Sequence, residues 1–105
     1  MNTYKVITYC QEEEIDKIIG AASDAGAGNV GNYSHCAFIT KGEGNWLSKE
    51  GSKPTSGEIG KMSRERECKV EFVCPETKIK SVVEAIKSNH SFETPQIDII
   101  RLYEF

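Results

Sequence analysis

The sequence predicts an α+β domain in which two helices cover one face of an antiparallel sheet. Two observations predict this class. A strand pattern followed by a helix pattern occurs twice along the chain, and each helix pattern carries a single apolar stripe. The chain has 105 residues, which is the usual size of one compact unit, so residues 1–105 are expected to form a single domain.

The first strand and helix of the prediction lie between residues 4 and 26. β-Branched and aromatic residues alternate with a period of two from Tyr4 to Cys10, which is typical of a strand. An acidic cluster follows, and negative charge is favourable at the start of a helix. Gly26 is the expected end of this helix. The apolar residues of its buried face recur at the spacing of one helical side: Ile15, Ile18, Ile19 and Ala22.

The same pattern returns in the second half of the chain. A strand at Cys68 to Cys74 precedes a second helix, and each half ends in a further strand, at Cys36 to Thr40 and at Ile97 to Tyr103. Two βαβ halves with apolar faces to bury predict a ferredoxin-like split βαβ fold (βαββαβ), with both helices on one face of an antiparallel sheet. The second helix has the same apolar spacing as the first: Ile79, Val82, Val83 and Ile86.

The segment between the halves, Lys41 to Lys61, contains five glycines and one proline. This composition predicts a long glycine-rich loop, in which Trp46 and Leu47 could add a short strand. Long loops inside compact domains tend to be functional. Two interpretations therefore stay open, a loop that contacts a ligand or partner, and a hairpin arm used in assembly.

Charge and composition argue against several classes of function. Thirteen basic and sixteen acidic residues give a net charge of −3, which disfavours binding to nucleic acid through its phosphates. No apolar run is long enough to span a membrane, and residues 1–10 lack the pattern of a signal peptide. The four cysteines are too few and too dispersed for a disulfide scaffold, so we expect mostly buried, reduced thiols and a cytoplasmic location.

The motifs that suggest chemistry also have structural interpretations. Gly26, Gly28 and Gly31 match G-x-G-x-x-G, but here the pattern follows a helix and precedes a strand, which is the wrong order for a dinucleotide-binding loop. We favour a helix end followed by a turn with positive φ. His35 and Cys36 are expected on opposite faces of one strand, and no zinc spacing or nucleophile signature is present. No catalytic residue, metal site or cofactor is predicted.

Three segments resemble the domain inserted in the middle of Nif-three-like proteins: Gly26 to Phe38, the stretch ending in Gly57 to Lys61, and His90 to Pro95. The most specific part of the resemblance is the sequence GNYSHC at residues 31–36. The last segment is similar to the family's His-Pro-Tyr-Glu-x-Pro motif, with Ser91 and Phe92 in place of proline and tyrosine. The resemblance implies a ferredoxin-like domain akin to PII signalling proteins and CutA, which assemble as trimers.

The function that the resemblance implies is a non-enzymatic regulatory or assembly module that forms a homotrimer. Ile7 and Tyr9 on the sheet face without helices give a further reason for self-association. The dinuclear metal site of full-length Nif-three-like proteins lies in flanking halves that this chain is expected to lack. Two alternatives stay open: a CutA-like divalent-metal-binding protein with His35 or His90 as ligands, and an accessory subunit of a separately encoded Nif-three-like hydrolase.

A small ligand, if the module binds one, is expected in a cleft between subunits, bordered by the Lys41 to Lys61 loop. Glycines let such a loop close, an indole offers a stacking surface, and an imidazole beside a carboxylate can bind a cation or an anion. The structural alternative is that His90 contacts the last carbonyls of the second helix and Trp46 packs against a neighbouring chain. The candidate residues for ligand binding or for the interface are Tyr33, His35, Trp46, His90 and Glu93.

Overall fold

The computed structural model describes residues 2–103. Its strands form one four-stranded antiparallel sheet in the order β2-β3-β1-β4. One turn of 3-10 helix, at Glu12–Glu14 and at Glu76–Lys78, precedes each α-helix. The predicted ferredoxin-like split βαβ fold is therefore confirmed. Its elements are β1 (Thr3–Cys10), α1 (Ile15–Asp24), β2 (Phe38–Leu47), β3 (Met62–Pro75), α2 (Ile79–Asn89) and β4 (Ile97–Leu102).

The core lies between the sheet and the two helices. Alternate residues of β1 and β3 face the helices, and α1 and α2 contact each other on that side of the sheet. Ile19 and Ile79 are partly buried and pack against this core, while Val83 is half-buried. The two apolar stripes predicted from the sequence therefore cover one face of the sheet. Fully buried members of the core include Val6, Ile18, Ala22, Val70, Val82 and Ile86.

The strand and helix patterns that repeat in the sequence form two equivalent units of the fold, β1 with α1 and β3 with α2. β1 and β3 are the two central strands, and their antiparallel register runs from Tyr4 opposite Cys74 to Cys10 opposite Cys68. These four residues begin and end the two strand patterns that the sequence repeats. Each half thus contributes one central strand and one helix to the same core.

The prediction of a loop at Lys41 to Lys61 is wrong for residues 41–45, whereas the strand structure considered for Trp46 and Leu47 is present. β2 continues to Leu47, where it lies opposite Met62 at the start of β3. The glycines at 42 and 44 have low strand propensity, but continuous pairing with β3 holds this segment extended. The remaining connection between the strands consists of residues 48–61.

A two-stranded arm extends from the four-stranded sheet. β1 pairs with β3 from Cys68 onwards, whereas β2 pairs with β3 back to Met62. Within residues 2–103, the segment 62–67 therefore pairs with β2 alone, and the molecule measures 46 Å along its longest axis. This part of the chain therefore has the structure of a hairpin arm.

Ile7 was predicted to be exposed on the sheet face without helices, but the structure buries it. This side chain is only 5% exposed, because it lies in a central strand between its neighbours on β3 and β4. Tyr9 is half-buried, while the exposed apolar residues of this face, Phe38 and Ile100, lie on the two edge strands. Ile7 therefore gives no reason for self-association, and the two edge residues do.

The glycine segment after α1 has the predicted turn structure. Gly26, Gly28 and Gly31 have φ values of 122°, 76° and 57°, and they lie between the end of α1 and the start of β2. His35 and Cys36 precede β2, so their predicted placement on a strand is wrong. His35 itself has a φ of 59°, which is the left-handed region.

The four cysteines are free thiols. Cys10, Cys68 and Cys74 are buried and Cys36 is partly exposed, so mostly buried thiols are what the structure shows. Neither helix in the described part of the chain has the length and apolar character needed to cross a bilayer.

Candidate functional site

A cavity of about 730 Å³ lies on the uncovered face of the sheet, where the arm leaves the four-stranded part. Its floor is formed by β2 and β3, and Gly42 leaves space there because it carries no side chain. Trp46 and Tyr9 line it from β2 and β1, and Phe92 lines it from the segment after α2. The 48–61 connection and residues 92–96 complete the walls.

The 48–61 connection is held against the segment that follows α2. The backbone N–H of Lys53 donates to Glu93 Oε1 at 2.8 Å, and Thr55 Oγ1 donates to the Ser91 carbonyl at 2.8 Å. At its base, the connection is closed by a bridge between Ser48 and residue 59. Glu93, which the sequence singled out, is therefore a cavity residue whose carboxylate holds the connection in place.

His90 fixes the start of the same segment. Its Nε2 lies 2.7 Å from the Tyr9 carbonyl, and its Nδ1 lies 3.1 Å from the Phe92 backbone N–H. Because a carbonyl only accepts and an N–H only donates, the proton must be on Nε2 and Nδ1 must be the acceptor. The expectation that His90 contacts the end of the second helix is wrong, since both ring nitrogens bond to backbone of β1 and of residue 92.

Ser91 shows how the chain accommodates its departure from the His-Pro-Tyr-Glu-x-Pro motif. The Ser91 backbone N–H donates to Glu14 Oε2 at 3.1 Å, and its hydroxyl donates to Glu14 Oε1 at 2.8 Å. A proline at this position has no N–H and no hydroxyl, so it could make neither bond. Where a proline would make the turn rigid, Ser91 instead holds it to the start of the first helix through two hydrogen bonds to Glu14.

We expect His90→Ala to lower the free energy of unfolding by about 1–3 kcal/mol, because it leaves the Tyr9 carbonyl and the Phe92 N–H without partners. Urea unfolding followed by circular dichroism measures this loss. The matched control is His35→Ala, which removes an exposed histidine and should change stability by no more than about 0.5 kcal/mol. Equal effects of the two substitutions would contradict a structural role for His90.

Tyr33 and His35 lie in a separate loop. Two backbone hydrogen bonds of 2.9 Å between Val30 and Tyr33 close a tight turn there. Tyr33 is 75% exposed, and His35 Nδ1 lies 2.9 Å from the Ser34 hydroxyl. Neither residue lines the cavity. The structure thus brings Trp46 and Glu93 to one site, places His90 behind Phe92, and leaves Tyr33 and His35 elsewhere.

Glu67 is a cavity residue that the sequence analysis did not single out. It lies opposite Gly42 in the register, and its carboxyl group occupies the space above Gly44, where a Cβ would overlap it. Burial raises the pKa of this carboxyl, the negative charge of Glu65 raises it further, and His90 acts in the opposite direction. The sequence does contain a signal for it. The alternating run RERE at residues 64–67 places both carboxylates on one face of a strand.

The buried thiols of Cys10 and Cys74 are poor nucleophiles. Burial raises the pKa of Cys10 to about 12, with a smaller contribution from the charge of Glu14, and burial also raises the pKa of Cys74. Both groups therefore stay protonated at neutral pH. Among residues 2–103, no three or more His, Cys, Asp or Glu side chains come together in a way that could hold a metal ion.

No protein-family model matches the chain. It is 35% identical over 98 residues to the GTP cyclohydrolase 1 type 2 homolog of Mycobacterium tuberculosis, a match that covers 93% of this chain and 26% of the relative. It is 36% identical over 95 residues to the protein of the same name from Bacillus subtilis, covering 90% of this chain and 26% of the relative. The chain thus spans about a quarter of the length of the curated relatives it matches.

One solved structure shows the same partial match, and two others are matched over most of their length. A Bacillus cereus protein related to NIF3 superimposes with a TM-score of 0.85 at 29% identity, over 98% of this chain and 26% of that one. The periplasmic divalent cation tolerance protein CutA from Archaeoglobus fulgidus gives 0.71 at 20% identity, over 100% of this chain and 87% of that one. Bacillus subtilis GlnK gives 0.66 at 14% identity, over 97% and 86%. The chain is therefore similar to one module of NIF3-related proteins, with the fold of CutA and GlnK.

Proposed function

We propose that the chain is a non-enzymatic regulatory or assembly module of the Nif-three-like insert type, which forms a homotrimer and binds a small ligand. The observation that carries this proposal is the two-stranded arm, whose tip presents apolar side chains beside a formed cavity. The similarity to a quarter of the length of NIF3-related proteins supports the type of module. The cavity supports the binding of a ligand.

The arm is built like an assembly device. A hairpin that is paired on one side only is marginally stable in water, so the arm gains from contact with another surface. Its tip carries Leu47 opposite Met62, with Ile59 next to the bridge at Ser48. These three apolar side chains are each at least half exposed. Contact between copies of the chain would remove them from water, which is the driving force for the proposed trimer.

The fold also suits a module that sits within a larger protein. Thr3 at the start of β1 lies opposite Leu102 at the end of β4, so the chain enters and leaves the sheet at one place. This arrangement allows a module to be inserted into another chain without disturbing its own sheet. It supports the insert type of module and leaves the arm and the cavity at the other end free for contacts.

We expect light scattering of the full chain to give three chain masses at tens of micromolar, and the double substitution Leu47→Glu, Met62→Glu to give one. Burying each of these side chains contributes about 1.5–3 kcal/mol, so their loss weakens association by orders of magnitude. Ser81→Glu, on the exposed side of α2, adds a carboxylate away from the arm and is the control. A monomeric parent chain at this concentration would refute the assembly role.

A second candidate is an accessory module for a separately encoded Nif-three-like hydrolase. The observation that favours it is the similarity of the chain to one module of NIF3-related proteins. The test mixes this chain with a NIF3-related protein from which the matching module has been removed, and looks for co-elution in size-exclusion chromatography. For the cation-tolerance alternative, His90 is not a free ligand, because both of its ring nitrogens are bonded to backbone. Of the two histidines considered for that role, only the exposed His35 is left.

A further inference from the structure

We propose that the cavity binds a small organic cation, an ammonium or amidinium group on a compact carrier, with the Glu67 carboxylate as the opposite charge and the Trp46 ring as a contact surface. This inference rests on the proposed ligand-binding function and names the chemical class of the ligand. It differs from the expectation drawn from the sequence, because neither His35 nor His90 takes part.

The positions of Glu67 and Trp46 suit one bound cation. Glu67 leans towards the arm, so that its carboxyl lies above Gly44 and not above Gly42, its partner in the register. Trp46 is the next residue of β2 on the same face, and successive same-face residues are about 7 Å apart. A cation is attracted by an aromatic ring within about 6 Å of its centre. A group bound between the two side chains can therefore contact both.

The charges that line the cavity favour a cation over an anion, because three carboxylates, of Glu43, Glu67 and Glu93, face two ammonium groups, of Lys49 and Lys69. Glu93 accepts the Lys53 N–H, and Lys69 Nζ lies 4.0 Å from the carboxylate of Glu71. Glu67, in contrast, makes no hydrogen bond or ion pair with any residue in the described range 2–103. A bound ammonium or amidinium group would supply the partner that this half-buried carboxylate lacks, whereas an anion would be repelled by it.

The shape of the cavity fits a compact molecule with one apolar side. Its volume of about 730 Å³ is in the range of small-molecule sites, which is about 300–1,000 Å³. Trp46, Tyr9 and Phe92 all line the cavity. In the register, Trp46 lies opposite Ser63 and Tyr9 opposite Lys69, so aromatic residues stand before and after Glu67 along β3. This arrangement excludes part of the water around Glu67 and thereby strengthens its attraction for a bound cation.

The experiment uses three probes of the same size and shape: benzamidine is a cation, benzamide is neutral and benzoate is an anion. Each is titrated into the full chain while the fluorescence of Trp46, its only tryptophan, is recorded. We expect a saturable change with benzamidine and none with benzamide or benzoate. Equal binding of benzamide, or binding of benzoate alone, would overturn the proposal.

Two variants test the role of Glu67. Glu67→Gln should weaken benzamidine binding by at least tenfold, while Glu84→Gln, a matched change on the exposed side of α2, should leave it unchanged. Gly44→Ala keeps the charge but displaces the Glu67 carboxyl, so it should also weaken binding. Unchanged affinity in Glu67→Gln would overturn the site.

The dependence on pH has a defined sign. Benzamidine stays protonated throughout the acidic range, and Glu43, Lys49, Lys69 and Glu93 line the cavity together with Glu67. Glu67→Gln leaves these four charged side chains in place, so the difference between parent and variant reports the protonation of Glu67. The pKa of this carboxyl is raised, mainly by burial, so affinity should begin to fall at a higher pH than an ordinary glutamate would give. Titrations at successive pH values should show this loss in the parent chain, and the weak binding of Glu67→Gln should not change over the same range. A parent affinity that stays constant through this range would count against Glu67.

Folding and assembly are measured separately from binding. Since its surroundings disfavour the charged form of Glu67, the Gln variant should melt at the parent temperature or slightly above it. If Glu67→Gln instead dissociates the trimer, Glu67 contacts a neighbouring copy and the ligand site is refuted. A monomer that binds benzamidine refutes the assembly role alone, and a trimer that binds none of the probes refutes the cation site alone.

Discussion

Ile18→Asp is expected to unfold the domain at 25 °C. Ile18 is fully buried in the centre of α1, and removing its burial costs about 1.5–3 kcal/mol. An aspartate there would also place a charge without a partner in the core, which costs several kcal/mol more. The sum reaches the whole stability of a typical small domain, which is about 5–15 kcal/mol. Circular dichroism at 25 °C should therefore lose the helix and sheet signal.

Two further substitutions in the same helix calibrate this result. Lys17→Asp changes the neighbouring exposed residue and should alter stability by no more than about 0.5 kcal/mol. Ile18→Val, which removes one buried methylene, should lower the free energy of unfolding by about 0.5–1.5 kcal/mol. If Ile18→Asp melts within a degree or two of the parent chain, the buried face of α1 has been assigned to the wrong residues.

Gly28→Ala is expected to cost about 2–4 kcal/mol, the second largest effect. Gly28 has a φ of 76°, and a Cβ there would lie 2.8 Å from the Cys36 carbonyl oxygen and 3.0 Å from the Cys36 nitrogen. The left-handed conformation costs an alanine about 1–2 kcal/mol. The clash with backbone would also disturb two hydrogen bonds, from Gly28 N–H to the Val73 carbonyl at 2.8 Å and from Cys36 N–H to the Gly28 carbonyl at 2.9 Å.

A second variant, Gly31→Ala, measures the cost of the left-handed backbone conformation without the steric clash that Gly28→Ala adds. Gly31 has a φ of 57°, and a Cβ there would meet no atom within 4 Å. Its replacement should therefore cost only the left-handed conformation, about 1–2 kcal/mol. Urea midpoints of the two variants give the comparison. A Gly31→Ala variant as unstable as Gly28→Ala would show that the close approach of Cys36 contributes nothing.

The sequence by itself determined the two helices, the two central strands and the class of fold. The stripes that contain Ile18 and Val82, and the alternation in β1 and β3, are local patterns of period 3.6 and period 2, which depend only on residues near each other in the chain. Their repetition predicted two equivalent halves, and two such halves bury their apolar faces in few ways. The turn at Gly26 to Gly31 was also local, since it followed from the position of the glycines after a helix.

The tertiary structure alone decided the arm and the cavity. Lys41 to Leu47 looks like a loop because its glycines are poor strand formers, and only the pairing with Met62 to Cys68 makes it a strand. The same pairing places Glu67 above Gly44 and beside Trp46. The hydrogen bond between His90 and the Tyr9 carbonyl has a similar origin, because the fold brings together residues that lie far apart in the sequence. Contacts of this kind depend on strand register and chain crossing, and no local period of the sequence encodes either of them.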